Sequence, residues 1–209
     1  MAATIVLGFS TTSFAAEQHV ENATEGDEIV SQLSAADYGT EVTFAQLTEE
    51  EIAGRTLLKF DSIEEAEAFL KQFITESSEL TLGNNISLQS YHDSMAETYD
   101  ATPSTPVGWY TNTVSWWGGG NTSLFSMTNA EIRFYYSNGV ASYIAVSNSY
   151  MTGLVGASWT HKSGTATSKG GTNAVISVTG DWFIGVEILG FPIGATFEET
   201  LTSGELSVY

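Results

Sequence analysis

Residues 130–147 read AEIRFYYSNGVASYIAVS, and this stretch decides the fold class. Polar and apolar side chains alternate on both sides of Asn138-Gly139, a dipeptide that favours the positive φ angles of a type I′ turn. A two-residue loop pairs Ser137 with Val140. One face of the predicted hairpin then carries Ile132, Phe134, Tyr136, Ala141, Tyr143 and Ala145. A hairpin with one covered face indicates an antiparallel sheet.

The same alternation continues toward the C-terminus. Its apolar positions are Ala174, Ile176, Val178, Trp182, Ile184, Val186 and Ile188. Gly180-Asp181 and the sequence GFPIG at 190–194 provide corners between strands. Roughly seven or eight short strands with glycine-rich turns predict a mainly β fold, either an antiparallel β-sandwich or a barrel-like domain, over residues 106–209.

A change of composition predicts a boundary just before this β domain. Residues 17–100 carry 19 acidic and 3 basic side chains, a balance of -16, whereas residues 101–209 carry 6 and 3, a balance of -3. Pro103 and Pro106 disfavour helix in the residues before them. The sequence therefore predicts an acidic N-terminal region, residues 17–101, an extended connector, and the β domain.

The acidic region is predicted to contain one amphipathic helix, residues 62–75. Ser62 and Glu65 form a capping-box signature at its start. Its apolar face consists of Ile63, Ala66, Leu70, Phe73 and Ile74, with Phe69 beside them. The preceding GRTLLKF alternates as a strand would. The first part of the region, from residue 17, is acidic and poor in aromatics, which predicts disorder or a weak helix.

The first sixteen residues, MAATIVLGFSTTSFAA, resemble the end of a secretory signal peptide. An apolar run precedes small residues and an A-x-A-like site before Ala16 or Glu17, although a basic start is missing. An apolar N-terminal strand is the alternative. No other stretch reaches the about 18 apolar residues of a membrane helix. We therefore expect a secreted, extracellular protein without a membrane span, most consistent with a Gram-positive bacterium.

Charge and cysteine content exclude several function classes. The net charge is -19, from 25 acidic and 6 basic residues, so clustered cations for binding nucleic acid or anionic lipid are absent. The chain has no cysteine, which removes disulfides, thiolate metal sites and cysteine nucleophiles. No calcium-loop pattern and no nucleotide or cofactor motif occurs, so we predict neither a metal nor a cofactor.

Trp116 and Trp117, followed by three glycines, are the strongest candidates for ligand contact. Neighbouring side chains on a strand point to opposite faces, so at least one of the two rings is predicted to leave the sheet interior. An outward ring stacks well on a sugar or another flat ligand. Trp109 and Tyr110, on the same predicted strand, belong to this candidate surface. The alternative is that the second ring packs against the N-terminal helix.

Catalytic candidates are few. His92 lies beside Asp93 in YHDSM, and His161 lies at a strand end, but no nucleophile or protease motif accompanies either. Glu187 lies between Val186 and Ile188, and apolar surroundings can raise a carboxyl pKa into the range of an acid catalyst. On a strand it can equally face water. We predict no catalytic residue.

The sequence thus favours a secreted, non-enzymatic binding module that contacts a glycan or another cell-surface component. Two alternatives stay open. One is a secreted toxin or bacteriocin-like effector whose acidic residues 17–101 serve as a pro-region. The other is a hydrolase that uses Glu187 or His92.

Overall fold

The computed structural model describes residues 14–78, 88–91, 107–118, 126–153 and 155–209, which form three helices and ten strands. The helices are α1 (Phe14–Ala35), α2 (Glu49–Ile52) and α3 (Ile63–Ser78). The strands are β1 (Thr43–Gln46), β2 (Leu58–Phe60), β3 (Leu88–Tyr91), β4 (Gly108–Gly118), β5 (Ser126–Ser137), β6 (Val140–Thr152), β7 (Ala157–Gly170), β8 (Asn173–Ile188), β9 (Phe191–Thr202) and β10 (Leu206–Ser207). The predicted connector prolines and most of the predicted signal peptide, residues 1–13, lie outside these ranges.

The strands form two sheets in a sandwich-like arrangement, which confirms the predicted mainly β, antiparallel fold. The four-stranded sheet has the order β3-β4-β5-β6. In the six-stranded sheet β8 is the centre. One edge of β8 binds β9 and β10, and the other binds β7 and, further along, β2. Among the strand pairings of the described segments, only the short β2–β8 pairing is parallel.

Strand β8 shows why the sequence folds this way. Its even-numbered side chains are buried without interruption, as the two-residue alternation predicts. Those with apolar side chains are Ala174, Ile176, Val178, Trp182, Ile184, Val186 and Ile188. Each fully buried large side chain contributes about 1.5–3 kcal/mol relative to an exposed one, so this one strand supplies much of the core.

Helix α3 covers part of that buried face. Ser62 Oγ accepts a hydrogen bond from the Glu65 backbone N–H at 3.2 Å, which confirms the predicted N-terminus. The predicted apolar side of the helix is buried at Ala66, Leu70, Phe73 and Ile74. The Phe73 ring meets Trp182 edge-on at 5.4 Å. The helix is therefore an integral layer over the six-stranded sheet.

Two further strands of the acidic region are built into this sheet, whereas its strand β3 belongs to the four-stranded sheet. Strand β1 pairs with β9, and β2 pairs with β8. The segment from residue 17, for which the sequence offered disorder or a weak helix, lies within α1, where Ile29 and Leu33 are buried. Within the described ranges, no helix combines the length and apolarity needed to cross a bilayer.

The β5–β6 hairpin confirms the predicted turn but corrects the predicted register. Asn138 and Gly139 have φ angles of 52° and 80°, and Ser137 pairs with Val140. The pairing then shifts, because two residues, Tyr143 and Ile144, stand opposite Phe134 alone. This β-bulge turns Tyr143, with φ 52°, to solvent. The predicted placement of Tyr143 and Ala145 on the inner face is wrong, since both are exposed.

Candidate functional site: an exposed aromatic patch

The four predicted ligand-contact residues divide between core and surface. Trp116 is only 3% exposed and belongs to the core, and Tyr110 is buried against Phe134. Trp109 is 47% exposed. Trp117 pairs with Met127 in the four-stranded sheet, but its side chain lies outside the described part of the chain. Among the three of these residues whose side chains the structure describes, Trp109 is the one presented to solvent.

Trp109 is the centre of a group that we name the aromatic patch, defined by Trp109, Arg133, Tyr135 and Tyr143. The Trp109 and Tyr135 rings meet at 5.5 Å with planes 68° apart. Tyr143, 78% exposed, lies 6.3 Å from the same indole. The Arg133 guanidinium carbon lies 4.8 Å from the indole centroid, a cation–π distance. The patch thus consists of three aromatic side chains and one cation, with Trp109 in contact with each of the other three.

The alternation of β4 and β5 places this patch on the outer face of the four-stranded sheet. Trp109 of β4 pairs directly with Tyr135 of β5, and Arg133 lies two residues before Tyr135 on β5. The intervening even-numbered residue, Phe134, is buried. The sequence pattern does not predict that Tyr143 belongs to the aromatic patch, because the exposure of its side chain depends on the β-bulge.

The electrostatics of the patch differ from those of the whole chain. The protein carries a net charge of -19, yet the patch holds an exposed guanidinium. The ion pairs found among the described residues involve Lys59, Lys71 and Lys162, and none involves Arg133. An arginine stacked on an aromatic face keeps its N–H groups directed outward in a fixed plane, ready to donate to oxygen atoms of a ligand.

The two catalytic candidates among the described residues, Glu187 and His161, do not converge. The Glu187 carboxylate forms an ion pair with Lys59, with 2.9 Å between Oε1 and Nζ. His161 is paired with Gly180, seven residues from Glu187, which corresponds to roughly 23 Å along an extended strand. His92 lies outside the described residues.

Two carboxylates, Asp181 and Glu198, pair across β8 and β9. Both bind Lys162, at 2.7 and 2.8 Å. Hydrogen bonds from the ammonium to Asp181 and then to Glu198 raise the pKa of Lys162 above its ordinary value. The cation thus occupies the space between the two carboxylates, where a substrate oxygen and an attacking water would have to lie.

In the part of the chain that the structure describes, no three carboxylate or histidine side chains are grouped so that they could hold a metal ion. No known protein family, no curated protein and no solved structure matches this chain. The aromatic patch is therefore the candidate functional site that the side chains themselves support.

Proposed function

We propose that the protein is a secreted, non-enzymatic binding module that recognises a saccharide at a bacterial cell surface through the aromatic patch. The observation that carries this proposal is the exposure of Trp109 together with Arg133 and Tyr143. An indole side chain that is about half exposed to solvent on a folded sheet and contacts two further rings is typical of a ligand-binding surface. The apolar C–H face of a pyranose stacks on such rings, while its hydroxyl groups accept hydrogen bonds from a guanidinium.

Secretion is part of the proposal and depends on the apolar, small-residue N-terminus. The acidic surface is compatible with it, because a net charge of -19 keeps the chain soluble and away from polyanions. The aromatic patch lies on three consecutive hydrogen-bonded strands, β4, β5 and β6, so its rings are held in place before a ligand arrives.

The expected affinity is modest. If each ring contributes about 1 kcal/mol and one Arg133 hydrogen bond about 1 kcal/mol, the total of about 4 kcal/mol corresponds to a dissociation constant of about 1 mM. Useful retention on a surface then requires several sugars of one chain, or several copies of the protein, to bind together.

The direct test is a glycan array followed by calorimetry with the best saccharide. Trp109→Ala is expected to weaken binding about fivefold or more, because it removes about 1 kcal/mol or more of stacking. Tyr143→Ala is expected to have a smaller effect in the same direction. Tyr150→Ala is the matched control, since Tyr150 is 37% exposed on the same sheet but pairs with Asn129, away from the patch. Equal affinity of Trp109→Ala and the unmodified chain would reject the proposal.

A further inference from the structure

A crevice on the six-stranded sheet forms where one edge of β8 changes its partner. Strand β7 ends its pairing at Ala157 opposite Ile184, and β2 begins at Leu58 opposite Val186. Between them, the Gly185 N–H donates to the Gly156 carbonyl at 2.8 Å. Strands β2 and β7 both begin at this point on the edge of β8, and the space between their first residues is the crevice.

The gap has a defined volume and a mixed lining. It encloses about 160 Å³ and is bordered by Arg55, Thr56, Leu57, Gly156, Ala157 and Phe183. A cavity of about 150 Å³ is large enough for one benzene molecule. The crevice therefore has room for a single ring or an aliphatic group of similar size.

Two paired glycines, Gly185 and Gly194, lie beneath the side chains that line the crevice. Gly185 pairs with Gly194 across β8 and β9. A Cβ at Gly194 would lie 2.8 Å from the Phe183 ring, and one at Gly185 would lie 2.6 Å from Leu57 Cδ2. The Phe183 ring and the Leu57 side chain therefore pack directly against glycine backbone, and together they form the apolar side of the crevice.

Arg55 supplies the polar side of the crevice. Its guanidinium carbon lies 4.6 Å above the Phe183 ring centroid. No ion pair of Arg55 occurs among the described residues, whereas the neighbouring cation Lys59 is bound to Glu187. A guanidinium stacked on a ring offers a planar pair of N–H donors that matches a carboxylate.

Glu51, whose carboxylate interacts electrostatically with Arg55, is already engaged. Its carboxylate oxygen accepts hydrogen bonds from the Thr48 backbone N–H and hydroxyl, both at 2.9 Å. Glu187 and Asp181, the two carboxylates on β8, are likewise paired, with Lys59 and Lys162. A small anion can therefore reach Arg55 in spite of the net negative charge.

We propose that this crevice is a second binding site, for a small carboxylate that carries one apolar ring or a short aliphatic group. The carboxylate binds the Arg55 guanidinium, and the apolar group lies against Leu57, Ala157 and Phe183. The site is on the six-stranded sheet and is independent of the aromatic patch on the other sheet.

Titration of the full isotope-labelled chain with benzoate, followed by amide NMR at physiological salt, tests this proposal. The amides of Gly156 and Ala157 are expected to shift and saturate at millimolar benzoate. Arg55→Gln is expected to weaken binding by about tenfold or more, since it removes the charge-assisted bidentate contact. Arg55→Lys, which keeps the charge but loses the planar donor pair, is expected to fall between the two.

Two controls make the result specific. Benzamide has the same ring without the charge and is expected to bind about tenfold more weakly or worse. Arg133→Gln removes the exposed arginine of the aromatic patch and is expected to leave the benzoate titration unchanged. The proposal is overturned if the two amides do not respond, if benzamide matches benzoate, or if Arg55→Gln binds benzoate as well as the unmodified chain does.

Discussion

The hydroxyl of Ser149 joins the two sheets, because its Oγ lies 2.6 Å from Nδ1 of His161. Ser149 belongs to β6 of the four-stranded sheet, and His161 belongs to β7 of the six-stranded one. The same oxygen accepts a hydrogen bond from Trp159 Nε1 at 2.8 Å, and the direction of its hydrogen bond with His161 is set by the tautomer of the imidazole. These hydrogen bonds connect the two sheets in addition to the apolar packing between them.

Ser149→Ala is expected to lower the free energy of unfolding by about 1–3 kcal/mol, because the buried Trp159 N–H loses its acceptor. The measurement is urea unfolding followed by fluorescence. Ser147→Ala is the control, since Ser147 is exposed on the same strand and donates only to the Glu131 carbonyl. A Ser149 variant as stable as the Ser147 variant would show that the network contributes nothing.

Gly194→Ala is expected to destabilise the fold by about 1–3 kcal/mol, because the added methyl group must displace the Phe183 ring or the Leu47 side chain. Thermal unfolding measures the change. Gly108→Ala provides the comparison, since nothing lies within 4 Å of a Cβ at Gly108. If the two variants melt together, the close contact between glycine and ring is not a constraint.

Tyr38→Phe is expected to leave the stability unchanged or to raise it at neutral pH. The Tyr38 hydroxyl is buried and has no hydrogen-bond partner among the described residues, so its removal relieves an unsatisfied polar group. Urea unfolding at pH 7 tests this, and a loss of about 1 kcal/mol or more would contradict it.

The same tyrosine predicts an alkaline effect. Burial, and secondarily the charge of Glu67, raises the pKa of Tyr38 from 10.0 to about 12. A group whose folded pKa is raised stabilises the fold below its unfolded pKa, and this contribution is lost as the pH rises from about 10 to about 12. The chain should therefore lose more stability over this interval than Tyr38→Phe does. Parallel curves for the two proteins would argue against the burial effect.

A cut between residues 102 and 106, at an introduced protease site, is expected to leave the two fragments associated. Strands β1 and β2 are hydrogen-bonded into the six-stranded sheet, and Phe73 packs on Trp182. Gel filtration after cleavage measures this. A freely released, folded fragment 106–209 would instead support the hypothesis that residues 17–101 are a removable pro-region.

The parts of the fold that were predictable are those set by local chemistry. Asn138-Gly139 fixed the hairpin turn because it tolerates positive φ, and Ser62 with Glu65 fixed the start of α3. The register beyond the turn was not predictable, because Tyr143 is neither glycine nor asparagine and still adopts φ 52°. A bulge formed by such a residue leaves no sequence signal.

The candidate sites show a similar division. Alternation predicts that Trp116 and Trp117 point to opposite faces, but it cannot say which face another layer will cover. Trp109 is exposed because the covered face belongs to Tyr110 and its even-numbered neighbours. The Arg55 crevice depends on β2 meeting β8, a pairing between residues 128 positions apart, which no local pattern encodes.

The central position of β8 has a consequence for biogenesis. Residues 58–60 find their partners only at 186–188, and residues 43–46 only at 193–196. Synthesis must pass residue 196 before both of these pairings can form, and pairings of such long sequence separation make folding slow. Until then the backbone N–H and C=O groups of the early strands lack their partners in the larger sheet, which leaves the nascent chain prone to aggregation unless a chaperone binds it.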